Sequence, residues 1–252
     1  MNHPQKIYAV VLAAGKGTRM KSEYPKVATP LMGKPLIVHV IESLKKAKIT
    51  DVIVVVGYKQ EVVKEILKDY SFITYAVQTE QLGTGHAVLS AEGSLKNFQG
   101  NILVCCGDVP MISSKSFINL IEFHNKNQSY ATVLSAMFEN PKGYGRLIRD
   151  TEKKLLEIVE EKDANEEQKS IKEINTGTYI FHSPSVFENL KSVGRTNAQN
   201  EYYLPDLIKI YNSLNQKTDA MILENSLESS GVNSPEDLSF IESLIKEGKL
   251  KS

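Results

Sequence analysis

The chain has 252 residues, enough for one large α/β domain or two small ones with ample core. Its 30 Lys and Arg balance 30 Asp and Glu, which excludes a global field drawing it to nucleic acid or to an anionic membrane surface. Neither is expected as a partner, and no stretch is long and apolar enough to cross a bilayer. The only cysteines, Cys105 and Cys106, are adjacent in an apolar run. They read as core residues of a reduced, cytosolic protein, not as a disulfide or metal set.

Residues 7–12 form an apolar run of the length of a buried strand. With Lys6 in front it superficially resembles a signal peptide. The run is at the short limit, however, and passes straight into Gly15-Lys-Gly-Thr-Arg19, so a first strand is expected. Gly15 and Gly17 lack a Cβ and let the backbone bend closely around a ligand. Outward N–H groups in such a loop make an anion-binding concavity, to which Lys16, Arg19 and Lys26 add positive charge. A polyphosphate cradle over 12–26 is one reading; Gly-x-Gly by itself fits a surface turn with solvated lysines better. A P-loop is absent, because its four-residue glycine spacing and Gly-Lys-Ser/Thr are missing. A dinucleotide fingerprint is absent too: Met20 stands where its third glycine belongs, and Val56-Gly57 where its acidic residue belongs.

Pro35 opens a helix to about Lys46, with Leu36, Val40 and Leu44 on one face. Residues 52–56 are a continuous β-branched run, a buried parallel strand by composition. A helix over 61–67 and a strand over 73–77 follow. The polar, glycine-bearing loop 78–86 then feeds a helix to about Leu95. A fourth strand, 102–106, ends in Gly107-Asp108-Val-Pro110, and a helix spans 114–125. Strands alternating with helices imply right-handed crossovers and a doubly wound, mostly parallel sheet. The second half reads as a smaller antiparallel part, with strands at 131–137, 146 onward, 155–160 and 174–181. A charged run over 160–172 reads as a solvated short helix or flap. Helices are expected at 185–190 and at 202–211, with Pro205 in the first turn of the latter, and a short strand at 220–223. Ser234-Pro235 caps a last helix with Leu238, Ile241 and Ile245 on one stripe. One domain over 1–233 and a C-terminal helix over 234–252 is the economical division.

In such a sheet, ligands bind at the carboxyl ends of the strands, near the switch in strand order. The glycine loop, 78–86 and Gly107-Asp108 all fall there. Asp108, between Gly107 and Pro110, is a rim carboxylate of the kind Mg²⁺ prefers beside substrate phosphates and water; a turn or helix-cap Asp is an equal reading. Asn175 in a β-like run must find hydrogen-bond partners, in the core or on a polar ligand. His86, Gly143-Tyr-Gly-Arg146, Tyr202 and Tyr203 each also have ordinary readings, as a helix-start residue, a hairpin turn, and core and rim.

Leu12-Ala-Ala-Gly-Lys-Gly-Thr-Arg-Met20 with Pro25-Lys26 resembles the signature of sugar-1-phosphate nucleotidyltransferases. Gln81-Leu-Gly-Thr-Gly-His-Ala87, Gly107-Asp-Val-Pro110, Gly143-Tyr-Gly-Arg146, Glu173-Ile-Asn-Thr-Gly177, Asn197-Ala-Gln-Asn-Glu-Tyr-Tyr203 and Gly231-Val-Asn233 narrow the resemblance. Together they resemble the uridylyltransferase half of the bifunctional bacterial N-acetylglucosamine-1-phosphate uridylyltransferase/glucosamine-1-phosphate acetyltransferase family. The resemblance implies a Rossmann-like nucleotide-diphospho-sugar transferase fold, with residues 1–233 as the nucleotidyltransferase domain. It implies joining of UTP to N-acetylglucosamine 1-phosphate with Mg²⁺, giving UDP-N-acetylglucosamine and pyrophosphate. Leu12, Ala13, Ala14 and Gly15 would hold the nucleotide, while Arg19 and Lys26 would be catalytic, facing its phosphates. Gln78, Gly83 and Thr84 would read the base. Cys106 and Gly107 would line the site through their backbone, and Asp108 and Asn233 would hold the metal. Gly145, Glu160 and Asn175 would hold the sugar, with the 160–172 run as a lid. Ala28-Thr29 and Cys106 differ from commoner family residues. The family continues into a hexapeptide-repeat acetyltransferase domain that builds a trimer; with the chain ending at Ser252, no acetyltransferase domain is expected. A UDP-glucose or dTDP-glucose pyrophosphorylase, or an inactive nucleotide-sugar sensor, are the alternative readings.

Overall fold

The structure is a computed structural model that describes residues 6–20 and 23–251. Positions 21–22 of the expected loop and the ends of the two expected domains, 1–5 and 252, lie outside the described residues. Strands β1 (Ile7–Ala13), β4 (Val52–Val56), β5 (Ile73–Val77) and β6 (Gly100–Cys106) form the parallel half of one large sheet. A two-stranded ribbon of β2 (Pro30–Leu31) and β3 (Lys34–Pro35) stands apart from it. The order across the sheet is β11-β7-β10-β6-β1-β4-β5, with β7 (Ala131–Met137), β10 (Glu173–Ser183) and β11 (Thr218–Ile222) completing the path. β10 runs antiparallel to both β6 and β7, and the hairpin of β8 (Arg146–Arg149) and β9 (Leu155–Val159) branches from it.

Helices cover both faces. On one face α1 (Leu36–Lys46), α2 (Gln60–Ile66) and α4 (Ser114–Asn127) bury Ile37, Ile41, Leu44, Val63, Phe117 and Leu120 against the strands. On the other, α3 (Thr84–Leu89), α6 (Ser185–Leu190) and α7 (Asp206–Ser213) bury Val88, Phe187, Leu207 and Tyr211. The continuous apolar strands follow from this: both faces of Val52–Val56 are covered, and all five residues are buried. Each such side chain contributes roughly 1.5–3 kcal/mol by leaving water. α5 (Glu166–Lys169) is a single turn inside the charged run, opened by a capping box of Asn165 and Gln168. α8 (Pro235–Lys246), with Ser234 as its cap, packs Ile241 and Leu244 on Leu31, Leu36, Met111 and Val232. The C-terminal helix thus docks on its own chain. Among the described residues, no helix is long and apolar enough to cross a membrane.

Two expected helices are shorter than their patterns. After Leu89 the hydrogen bonding tightens from i−4 to i−3, Ala91 N–H to Val88 O, and a 3₁₀ turn carries the chain over Glu92–Leu95. α7 starts at Asp206, with Pro205 at its N-cap, because residues 202–204 are tied elsewhere. Tyr202 N–H donates to Leu82 O at 2.8 Å, Gly85 N–H to Tyr202 O at 2.8 Å, and Leu204 N–H to Thr84 Oγ1 at 3.1 Å. Tertiary hydrogen bonds there override the helical pattern.

Candidate active site

Strand order places the site. β1 connects through α1 to β4 on one side, while β6 lies on its other side, so the switch falls between β1 and β6. Their register pairs Leu12 with Cys106, and Gly107 N–H donates to Leu12 O at 2.9 Å. The glycine loop and Asp108 therefore leave the sheet side by side.

Gly17 bends the loop with φ +65°, and a Cβ there would stand 2.5 Å from Lys26 Cβ. That close approach lays Lys26 across the loop toward Asp108, with which its ammonium forms an ion pair. Lys26 Nζ also donates to Asn233 Oδ1 at 2.9 Å, and Arg19 Nη2 donates to the same oxygen at 3.0 Å. Asn233 is fixed from behind: its N–H donates to Asp237 Oδ2 at 2.8 Å, and Val232 N–H donates to Asp108 O at 2.9 Å. Docking of α8 thus carries Asn233 to the rim. Ala14 O accepts from Tyr58 N–H at 3.1 Å, and the space around Gly15 is open.

A cleft of about 200 Å³ is lined by Leu12, Thr84, Cys106, Asp108, Gly145, Glu160, Asn175 and Asn233 together with Tyr144 and Tyr179. Leu12 and Thr84 therefore share one cavity with Cys106, Asp108, Gly145, Glu160, Asn175 and Asn233, whereas Ala13, Ala14, Gly15, Arg19, Lys26, Gln78, Gly83 and Gly107 are not among its lining residues. Asn175 reaches it through a bulge. The pairing with β7 slips between Asn175 and Thr178, Thr176 Oγ1 donates to Leu134 O, and Gly177 N–H donates to Asn175 Oδ1 at 3.0 Å. Gly177 in a strand was the visible sign of that bulge, which periodicity alone does not reveal. Gly145 lies so close to Glu160 that a Cβ would stand 3.1 Å from Glu160 Oε1. Gln78 is buried against the 83–86 segment, and its Nε2 lies 3.1 Å from both Gly83 O and His86 Nδ1. Its contribution visible here is to hold that segment.

Burial pushes the Cys106 thiol up to about 12, with Asp108 adding to the effect, so it stays a neutral wall residue. Burial likewise pushes Glu160 up to about 7, helped by Asp206 and Asp163 and opposed by Asn175 and Arg146. A carboxyl raised from 4.5 destabilises the folded state when ionised: its contribution is most favourable below the unfolded value and is lost as pH rises through about 7. Replacing Glu160 by Gln should therefore raise stability at pH 8 by on the order of 2 kcal/mol and leave it nearly unchanged at pH 4. Thermal unfolding of both proteins across that range checks this, and a pH-independent difference contradicts it.

The donor set suits a hard cation. Asp108 Oδ2 and Asn233 Oδ1 already gather around one ammonium, and Mg²⁺ takes one or two such oxygens plus phosphate and water. Among the described residues, no group of three or more His, Cys, Asp or Glu forms an all-protein metal cage.

At the switch point the glycine loop thus meets a rim carboxylate paired with one cation, an amide oxygen held by two, and a cleft beside them. The nucleotidyl transferase family matches residues 8–236, and the chain belongs to it. Curated relatives include the bifunctional protein GlmU of Streptococcus uberis, 46% identical over 239 residues, which are 95% of this chain and 52% of the relative. GlmU of Streptococcus agalactiae is 47% identical over 90% of this chain and 49% of its own length. These are the bifunctional bacterial proteins to which the motifs point, and the chain spans about half of their length. Among solved structures, a UDP-glucose pyrophosphorylase complexed with UDP-glucose superposes with TM-score 0.78 at 20% identity, covering 96% of this chain and 98% of the other. A putative glucose-1-phosphate thymidylyltransferase from Bacillus anthracis gives 0.77 at 22%, covering 96% of each. These two share the fold.

Proposed function

We propose that the protein transfers the uridylyl group of UTP to N-acetylglucosamine 1-phosphate, releasing pyrophosphate. The observation that carries this reading is the convergence of Lys26 and Arg19 on Asp108 and Asn233, which line the same cleft as Gly145, Glu160 and Asn175. The resemblance of the motifs to the uridylyltransferase half of the bifunctional family, together with 46% and 47% identity to two bifunctional GlmU proteins, supports uridine and the N-acetylated sugar.

In the reaction a phosphate oxygen of the sugar phosphate attacks the α-phosphorus of UTP. A new P–O bond forms, and the bond to the β-phosphate oxygen breaks. Both reactants are polyanions, and each pair of unit charges at about 4 Å repels by roughly 4 kcal/mol at an effective dielectric near 20. Arg19 and Lys26 offset that repulsion and stabilise the charge that develops on the α-phosphate and the leaving pyrophosphate. The attacking phosphate is already ionised, so no general base or covalent nucleophile is needed, and the neutral Cys106 thiol has no part in the step. Asp108 and Asn233 would hold Mg²⁺, which when bound supplies further charge neutralisation at the phosphates. Gly145, Glu160 and Asn175 bind the sugar and orient its phosphate.

Pyrophosphate release across a panel of nucleoside triphosphates and sugar 1-phosphates tests the proposal. The highest kcat/KM is expected for UTP with N-acetylglucosamine 1-phosphate. Preference for glucose 1-phosphate or dTTP would move the assignment to a different pyrophosphorylase, and UDP-sugar binding without turnover would indicate a sensor.

A further inference from the structure

Arg146 reads from the sequence as the end of a hairpin turn, and the reaction above leaves it without a task. It is nevertheless 1% exposed. A buried cation is strongly unfavourable unless paired and hydrogen-bonded. Here three segments converge on it. Nη1 donates to Tyr144 O, in the loop before β8. Nη2 donates to Glu161 Oε2 at 2.6 Å, where β9 passes into the 160–172 segment, and to Lys169 O at 3.3 Å, at the end of α5. Nε has no hydrogen-bond partner among the described residues.

Register places this guanidinium under the sugar side of the cleft. Arg146 pairs with Val159 on β9 and with Ile174 on β10. The next residues along are Gly145, just before β8, Glu160, just after β9, and Asn175 in β10, and Asn175 N–H donates to Gly145 O at 2.9 Å. We propose that Arg146 is a positioning residue for the sugar subsite, its guanidinium fixing the spacing of Gly145 and Glu160 by gripping the preceding loop and the lid together. This inference rests on the transferase reading above. A planar fork can hold several acceptors at once, whereas an ammonium on a flexible stem cannot hold them in one geometry. Arginine at this position, and not lysine, is then required for sugar affinity.

The experiment compares the wild type with Arg146→Lys and Glu161→Gln in two measurements. Steady-state kinetics vary each substrate separately, and amide hydrogen exchange is followed over residues 160–170 of the ligand-free proteins. Loss of a charge-assisted bond predicts that KM for the sugar 1-phosphate rises by about tenfold in both variants, with KM for UTP within about twofold of wild type. Exchange over 160–170 should quicken in both. An unchanged sugar KM overturns the proposal, as does an equal rise in both Michaelis constants, which marks a purely structural role. Glu161→Gln leaves the buried arginine in place and decides the matter even where Arg146→Lys fails to fold. Absence of turnover by the wild type counts against the transferase reading alone. The exchange comparison then decides the role of Arg146: faster exchange in Glu161→Gln supports it, and unchanged exchange overturns it.

Discussion

Asp108→Ala is expected to abolish pyrophosphate release while the protein keeps its fold. The carboxylate sits on the turn after β6, joined to the Lys26 ammonium, and both side chains are mostly shielded, at 20% and 17% exposure. Removing it deletes the carboxylate that pairs with Lys26 and leaves the Arg19 and Lys26 side chains facing one amide oxygen. Turnover should fall by at least about 10³-fold, since the charge balance at the reacting phosphates is lost. Stability should change by only about 1 kcal/mol, because the Lys26 ammonium keeps its bond to Asn233 Oδ1 and some access to water when Asp108 is gone. Kinetics and thermal unfolding on the same preparation separate the two effects. Near wild-type turnover would remove Asp108 from the proposed role.

Lys26→Ala should lower kcat by roughly 10²- to 10³-fold, comparable to losing one preorganised transition-state donor. The reason is positional as well as electrostatic. Gly17 holds the loop in a left-handed turn against the Lys26 stem, so the ammonium is delivered to Asp108 and Asn233 before substrate arrives. No reorganisation is then required as negative charge develops. Arg19 is exposed and bonds the same Asn233 oxygen, so it retains part of the function when Lys26 is gone. Turnover of Lys26→Ala within about threefold of wild type would contradict that assignment.

The parallel half of the sheet was legible because its strands are buried on both faces and therefore written as unbroken apolar runs; Val52–Val56 is the plainest case. The loop after β1 and the turn at Asp108 were legible for a related reason, since glycine and proline mark the strand ends where ligands bind. Other features were not. α7 begins at Asp206 instead of Tyr202 because three tertiary hydrogen bonds hold residues 202–204 to the 82–85 segment, and a periodic pattern carries no record of them. Asn233 sits 214 residues from Arg19 and 207 from Lys26, and only the docking of α8 brings them together. Arg146 reads as an ordinary hairpin-entry residue because two acceptors that justify its burial lie farther along the chain, Glu161 just past β9 and Lys169 in α5. Local patterns thus specify elements and rims, while long-range hydrogen bonds finish the cleft.

In the proposed reaction, fixed positive charge lets two phosphate-bearing reactants meet at the carboxyl ends of β1 and β6. The most direct measurement is pyrophosphate release from UTP and N-acetylglucosamine 1-phosphate by the wild type, in Mg²⁺ and again after chelation with EDTA. Expected is rapid release in Mg²⁺ and a fall of at least about 100-fold on chelation, restored by adding the metal back. Undiminished release after chelation would contradict it.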